Sequence, residues 1–250
     1  MRGSGPPLVL LHGFTQTGRL WGPFGDRLES THTLVAVDLP GHGDSASVRA
    51  DLPTTAGLVA DAVGEVVGAT PCGLLGYSLG ARVALHVGLG ARLALRHLVL
   101  IGGTAGIEDP AARERRRHAD ETQADELEGS GDVEAFLTAW LGSPMFARLA
   151  SAGRAERTER LRNTAAGLAS SLRSCGAGAQ EPLWDRLGAL ACPVLALAGS
   201  DDVRFASHAL RIAARTPHGV ASLVPGGGHA VHLAQPAQAG RIVGHWLDAV

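Results

Sequence analysis

The chain has 250 residues, 45% of them apolar, and a formal net charge of −2. That length suits one α/β domain with a large buried core and room for an insertion, and that charge gives no overall attraction to nucleic acid or to an anionic membrane. All 22 basic residues are arginine, which excludes a Schiff-base lysine and a Walker-type phosphate loop, since both need a lysine.

Cys72, Cys175 and Cys192 show no CxxC spacing, so buried thiols in a reducing compartment are expected, not a disulfide framework. Met1–Pro7 is Gly/Pro-rich and lacks the apolar centre of a signal peptide. No apolar run approaches the length of a membrane span. The expected location is the cytoplasm.

In chain order, Pro7–Leu11 is a continuous apolar run ending at His12-Gly13-Phe14, the pattern of a strand buried on both faces. A loop passes into a helix by Leu28, and Thr33–Asp38 reads as a second strand closed by the turn Leu39–Ser45. Thr54–Gly68 carries Leu58, Val59, Ala62, Val63, Val66 and Val67 at helical spacing. A strand over Cys72–Leu75 then runs into Gly76-Tyr77-Ser78-Leu79-Gly80 and a helix. His97–Ile101 is the next strand, ending at Gly102-Gly103. Strand–helix alternation implies a parallel sheet with right-handed crossovers.

The alternation stops after Ile107. Asp109-Pro110 caps and opens an arginine-rich helix. Asp132 caps an amphipathic one stopped by Gly142, with Val133, Phe136, Leu137, Trp140 and Leu141 on one face. Further helices are expected through Arg154–Ser174 and Glu181–Leu190. Residues 108–186 thus read as a helical cap inserted between core segments 1–107 and 187–250. Pro193–Ala198 resumes the sheet, a helix spans Ala206–Arg215, a strand Ala221–Val224 ends at Pro225–His229, and Pro236–Ala249 is the last helix.

Ligands of an open parallel sheet bind beyond the carboxyl ends of its strands. His12-Gly13-Phe14, Ser78, Asp202 and His229 all fall there. Gly-x-Ser-x-Gly at a strand-to-helix turn is a nucleophile elbow, and the order Ser…Asp…His is the one used by the α/β-hydrolase fold. Ser78 is a poor nucleophile or base alone and needs His229 to take its proton, with an acid to orient the imidazole. Asp201 and Asp202 compete for that role; Gly-x-x-Asp spacing from Gly199 favours Asp202, leaving its neighbour as a loop carboxylate or helix cap. The Phe14 and Leu79 N–H groups would form the oxyanion hole. His42, His86 and His232 read as structural. No metal-ligand spacing exists, and no cofactor is implied.

Leu11–Thr15, Leu39–Ser45, Gly76–Arg82 and Gly226–His232 together resemble the α/β-hydrolases over the whole chain. More selective pieces are Gly102–Ile107 with Arg113, Arg115, Arg116 and Arg117; Ala139-Trp140 and Pro144-Met145-Phe146; Arg162-Asn163 with Gly167-Leu168-Ala169 and Leu172-Arg173; and Asp202–Phe205. These are similar to the 2-succinyl-6-hydroxy-2,4-cyclohexadiene-1-carboxylate synthases of menaquinone biosynthesis (MenH). That resemblance implies elimination of pyruvate from 2-succinyl-5-enolpyruvyl-6-hydroxy-3-cyclohexene-1-carboxylate, a small polycarboxylate. It implies a triad at Ser78, Asp202 and His229, and substrate contacts at Tyr77, Arg82, Arg116, Trp140 and Arg162. Arg82 lies one helical turn beyond Ser78, where a guanidinium overlooks the site, and planar guanidinium groups suit a substrate with several carboxylates. The arginines at 113–117 equally read as a solvated helix face, and Trp140 as packing of the cap.

Two departures stand out. The first core strand begins so early that the N-terminal strands usual in this fold are expected to be short or absent, and Ala81 replaces a glycine common after the elbow. The triad alone does not separate a lyase from an ester or carbon–carbon bond hydrolase on an acidic substrate. A non-enzymatic receptor on this fold would be expected to have lost a triad member.

Overall fold

The computed structural model describes residues 1–149 and 154–250; residues 150–153, in the expected insertion, lie outside the described residues. One sheet of six parallel strands forms the core. Its strands in chain order are β1 (Pro7–Leu11), β2 (Thr33–Val37), β3 (Cys72–Tyr77), β4 (Leu95–Ile101), β5 (Val194–Gly199) and β6 (Gly219–Val224), and in space they run β2-β1-β3-β4-β5-β6. Every residue of β3 and β5 is buried, which is why their sequences, CGLLGY and VLALAG, carry apolar or glycine side chains on both faces. Leu74 and Leu75 are fully enclosed on opposite faces of the sheet. Each such side chain contributes about 1.5–3 kcal/mol by leaving water.

Helices α1 (Gly22–Glu29), α2 (Leu52–Val67) and α3 (Leu79–Gly90) fill the first half. α2 starts two residues before the periodic pattern does, because the Asp51 side chain accepts the Thr54 N–H at 2.8 Å and Pro53 is tolerated in a first turn. Between β4 and β5 the described residues form no strand. They form α4 (Pro110–Ser130), α5 (Val133–Leu141), α6 (Arg154–Arg160) and α7 (Ala165–Cys175). Asp109 and Asp132 cap α4 and α5 as their positions suggest. Glu181–Leu190 does not make an α-helix; only Trp184–Ala189 coils, as a 3-10 turn. Trp184 is anchored there by donating its indole N–H to the Gly106 carbonyl at 2.9 Å.

The second half adds α8 (Val203–Arg215), α9 (Val231–Ala234) and α10 (Pro236–Leu247). α8 opens three residues earlier than apolar spacing alone indicates, since Asp202 caps it. At the β2 edge, Arg2 and Leu34 exchange two antiparallel backbone bonds, the only trace of an N-terminal strand among the described residues. Cys72, Cys175 and Cys192 are free thiols; Cys192 is only half-buried, short of the burial expected of it. No described helix is long and apolar enough to cross a membrane.

Candidate active site

The elbow between β3 and α3 is set by two glycines. A Cβ at Gly76 would collide with the Gly80 carbonyl oxygen, and one at Gly80 with the carbonyl oxygen of Leu11 on the neighbouring strand. That packing forces Ser78 to φ 50, ψ −103, a sparsely populated conformation that costs on the order of 1–3 kcal/mol. Its N–H is anchored to the Ile101 carbonyl at 2.9 Å. The strained backbone turns the hydroxyl away from the sheet.

Ser78 Oγ lies 3.0 Å from His229 Nε2, and His229 Nδ1 lies 2.9 Å from Asp202 Oδ2. The imidazole is enclosed by the rings of Phe205, Tyr77 and Phe146, with centroids at 4.3, 5.4 and 6.1 Å. Gly102, at φ 57, leaves it room: a Cβ there would stand 3.0 Å from His229 Cε1. The two adjacent acids are separated by their directions. Asp202 gives Oδ2 to His229 and Oδ1 to the Phe205 N–H, whereas Asp201 pairs outward with Arg148 at 2.6 Å.

The expected oxyanion donors flank the same hydroxyl. Phe14 and Leu79 line the pocket with Ser78 and His229, and neither N–H has a partner among the described residues. Phe14 sits in a turn closed by the Gln16 N–H donating to the Gly13 carbonyl at 3.1 Å. The next residue, Thr15, takes φ 67, a left-handed conformation that costs a branched side chain about 1–2 kcal/mol. Behind the turn, His12 Nε2 accepts the Leu39 N–H at 3.0 Å, so its proton is on Nδ1 and bonds the Gly13 carbonyl at 2.9 Å. Burial holds His12 neutral by pulling its pKa down to about 4.

Of the five expected substrate contacts, three line the pocket: Arg82, Arg116 and Trp140. Arg82 is 9% exposed and donates to the Cys175 carbonyl at 2.6 Å. Burial lowers its pKa to about 10, and the nearby Arg116 charge acts in the same direction. Arg116 is held through Nε by the buried carboxylate of Asp120 at 2.8 Å. With Arg204, three guanidinium groups thus line one pocket, and among the described residues only Arg116 of the three has a carboxylate partner. Trp140 stacks edge-on to Phe14 at 5.0 Å, and its buried indole N–H has no partner among the described residues. Arg204 and Met145 also line the pocket; neither is among the contacts expected from sequence, although both lie in stretches that carry the resemblance.

Tyr77 and Arg162 point elsewhere. Strand alternation places Tyr77 on the same face as Leu75, where it packs behind His229 against the His232 ring at 4.3 Å. Arg162 reaches out to Asp44 at 2.5 Å and Glu159 at 3.5 Å. The buried members of that region are Arg160 and Asn163, 2% and 4% exposed, and no periodicity or motif in the sequence marks Arg160. A larger open groove beside β2, walled by Arg2, Trp21 and Asp38, shares no residue with this pocket. Among the described residues no group of His, Cys, Asp and Glu is placed to hold a metal ion.

The parallel sheet, the strained serine elbow and the Ser78–His229–Asp202 chain define an α/β-hydrolase architecture. The chain belongs to the alpha/beta hydrolase family, whose model matches residues 8–239. Within that family it belongs with the 2-succinyl-6-hydroxy-2,4-cyclohexadiene-1-carboxylate synthases. One such synthase, from Salmonella paratyphi C, is 34% identical over 93% of this chain and 90% of its own. A Bacillus subtilis relative named for the same synthase is 32% identical, over 97% and 90% of the two chains. The solved structure of MenH from S. aureus superposes with a TM-score of 0.90 at 27% identity, covering 98% and 94% of the chains. The protein is an enzyme of this fold.

Proposed function

We propose that the protein eliminates pyruvate from 2-succinyl-5-enolpyruvyl-6-hydroxy-3-cyclohexene-1-carboxylate, giving 2-succinyl-6-hydroxy-2,4-cyclohexadiene-1-carboxylate for menaquinone biosynthesis. The observation that carries this reading is the placement of Arg82 and Arg116 on the pocket that holds Ser78 and His229. A neutral ester would offer neither guanidinium a carboxylate, leaving Arg82 on the Cys175 carbonyl and Arg116 on Asp120; a tricarboxylate provides one for each. The similarity to named synthases supports the same substrate.

In this scheme His229 takes the Ser78 proton, and the serine oxygen removes the ring C2 proton, which is α to the succinyl ketone. A C2=C3 bond forms, the ring double bond moves from C3=C4 to C4=C5, and the C5–O bond breaks. Enolpyruvate leaves with the electron pair and tautomerises to pyruvate. The negative charge that builds on the ketone oxygen is met by the Phe14 and Leu79 N–H groups. Asp202 holds the imidazole in the tautomer that accepts at Nε2 and stabilises its charged form. Arg82 and Arg116 anchor carboxylates, the Trp140 N–H offers a further donor, and helices α4, α5 and α7 act as the cap.

The test is pyruvate release from that substrate, followed by coupled NADH oxidation, beside cleavage of a p-nitrophenyl ester. Fast pyruvate release with negligible ester cleavage is expected. Ester cleavage without pyruvate release would replace the lyase by a hydrolase using Ser78 as a covalent nucleophile.

A further inference from the structure

We propose that the helical segment clasps the turn carrying the Phe14 N–H, making Asn163 and Arg160 positioning residues for chemistry at Ser78. This rests on the proposed use of that N–H as an oxyanion donor. The Gly13–Gln16 turn has negative φ at Phe14 and positive φ at Thr15, the type II pattern, whose third position ordinarily takes glycine. A threonine there does not hold the turn by its own preference. Relaxing to the competing type I turn flips the Phe14–Thr15 peptide; the Phe14 N–H belongs to the preceding peptide and does not flip with it, but the Thr15 end of the turn gives way, so where that N–H sits depends on contacts outside the turn that hold Thr15 in place.

Three bonds between this turn region and α6 or the turn after it supply those contacts. Arg160 Nη1 donates to Thr15 Oγ1 at 2.7 Å, Asn163 Nδ2 donates to the Thr15 carbonyl at 2.9 Å, and Thr17 Oγ1 donates to Glu159 Oε1 at 2.8 Å. Thr15 and Thr17 are fully buried, where a charge-assisted bond is strengthened by the low local dielectric. The Asn163 amide is used at both ends. Its Oδ1 accepts the Gly43 N–H at 3.0 Å and its Nδ2 also reaches the Arg160 carbonyl at 2.9 Å. One side chain therefore ties together the oxyanion turn, the Gly41–Ser45 loop and the helical segment. The Arg160 charge is balanced by Glu156 at 2.8 Å and by no group of the pocket among the described residues, so its role runs through Thr15.

The experiment measures Asn163→Ala, Thr15→Gly and the double variant by two readouts. One is kcat and KM for pyruvate release. The other is the rate at which Ser78 is labelled by a fluorophosphonate, a reaction in which Oγ displaces fluoride, its proton passes to His229, and the phosphoryl oxygen occupies the oxyanion hole. We expect Asn163→Ala to lower kcat and labelling about 10- to 100-fold, below the ~10²–10³ seen when a donor is removed outright, with KM changed less than about twofold. Glycine adopts the third turn position unaided, so the double variant should return to within about threefold of Thr15→Gly alone. A folded Asn163→Ala enzyme with unchanged rates, or a loss that glycine does not relieve, overturns the clasp. If Asn163→Ala does not fold, Thr15→Val decides. It keeps the branched side chain but gives Arg160 no acceptor, and unchanged labelling again overturns the proposal. A wild-type enzyme that labels but releases no pyruvate discards the substrate assignment and leaves the clasp judged on labelling. Absence of both activities removes the clasp together with the hole it would serve.

Discussion

Asp201 and Asp202 share a loop and a charge, yet only one carboxylate faces an imidazole. Asp202→Asn is expected to lower turnover about 10⁴-fold, because the amide supports the wrong histidine tautomer, while Asp201→Asn should stay within about threefold, losing only a surface pair with Arg148. Comparable losses in steady-state kinetics for the two variants would refute the assignment. Arg82→Met should lower kcat/KM about 10- to 100-fold, mostly through KM, the size of one charged hydrogen bond; an unchanged KM would remove its anion-binding role. At this scale the sequence was legible wherever the fold demands a residue at a strand end. Ser78, Asp202 and His229 are announced by the glycines that make room for them. Tyr77 and Arg162 were less so, because the direction of a side chain depends on which sheet face or helix face the neighbours leave open. Arg160 bears no local mark; its role exists only once the chain has folded back onto Thr15.

Element ends depended on caps more than on apolar spacing. α2 and α8 both begin earlier than their periodic residues do, because Asp51 and Asp202 satisfy N–H groups of the first turn. Asp202 thus serves a helix and an imidazole at once, and the two roles separate experimentally. Asp202→Ser keeps an N-cap oxygen but offers no charge to His229. Its urea midpoint should fall by the equivalent of less than about 1 kcal/mol, while turnover drops as for Asp202→Asn. A large loss of stability in Asp202→Ser would show that the carboxylate's bond to His229 also holds the fold. The 3-10 turn at Trp184–Ala189 was not legible as such, since its shape is fixed by an indole bond to Gly106 far back in the chain.

For the molecule as a whole, the buried histidines set the acid limit of stability. His12, His42 and His232 are fully buried and neutral, and burial pulls their pKa values down from 6.5 to about 4, 3 and 3. Below pH 6.5 the unfolded chain takes up protons that the folded one refuses. Stability is therefore full above 6.5 and falls as the pH drops toward 4, by up to about 1.4 kcal/mol per pH unit for each histidine. Urea midpoints should already decline between pH 6.5 and 5, above the carboxylate range; a flat profile there would contradict it. The sheet order has a kinetic corollary. Ser78 follows β3, but Asp202 and His229 follow β5 and β6; β5 pairs onto β4, and β6 onto β5, only after the long helical excursion closes. Such remote pairing is slow. During refolding from urea, Ser78 labelling should therefore lag the return of far-UV circular dichroism, and coincident phases would show that the two halves assemble together. The active site is a join between early and late parts of the chain, so regained activity reports that the last strands have docked.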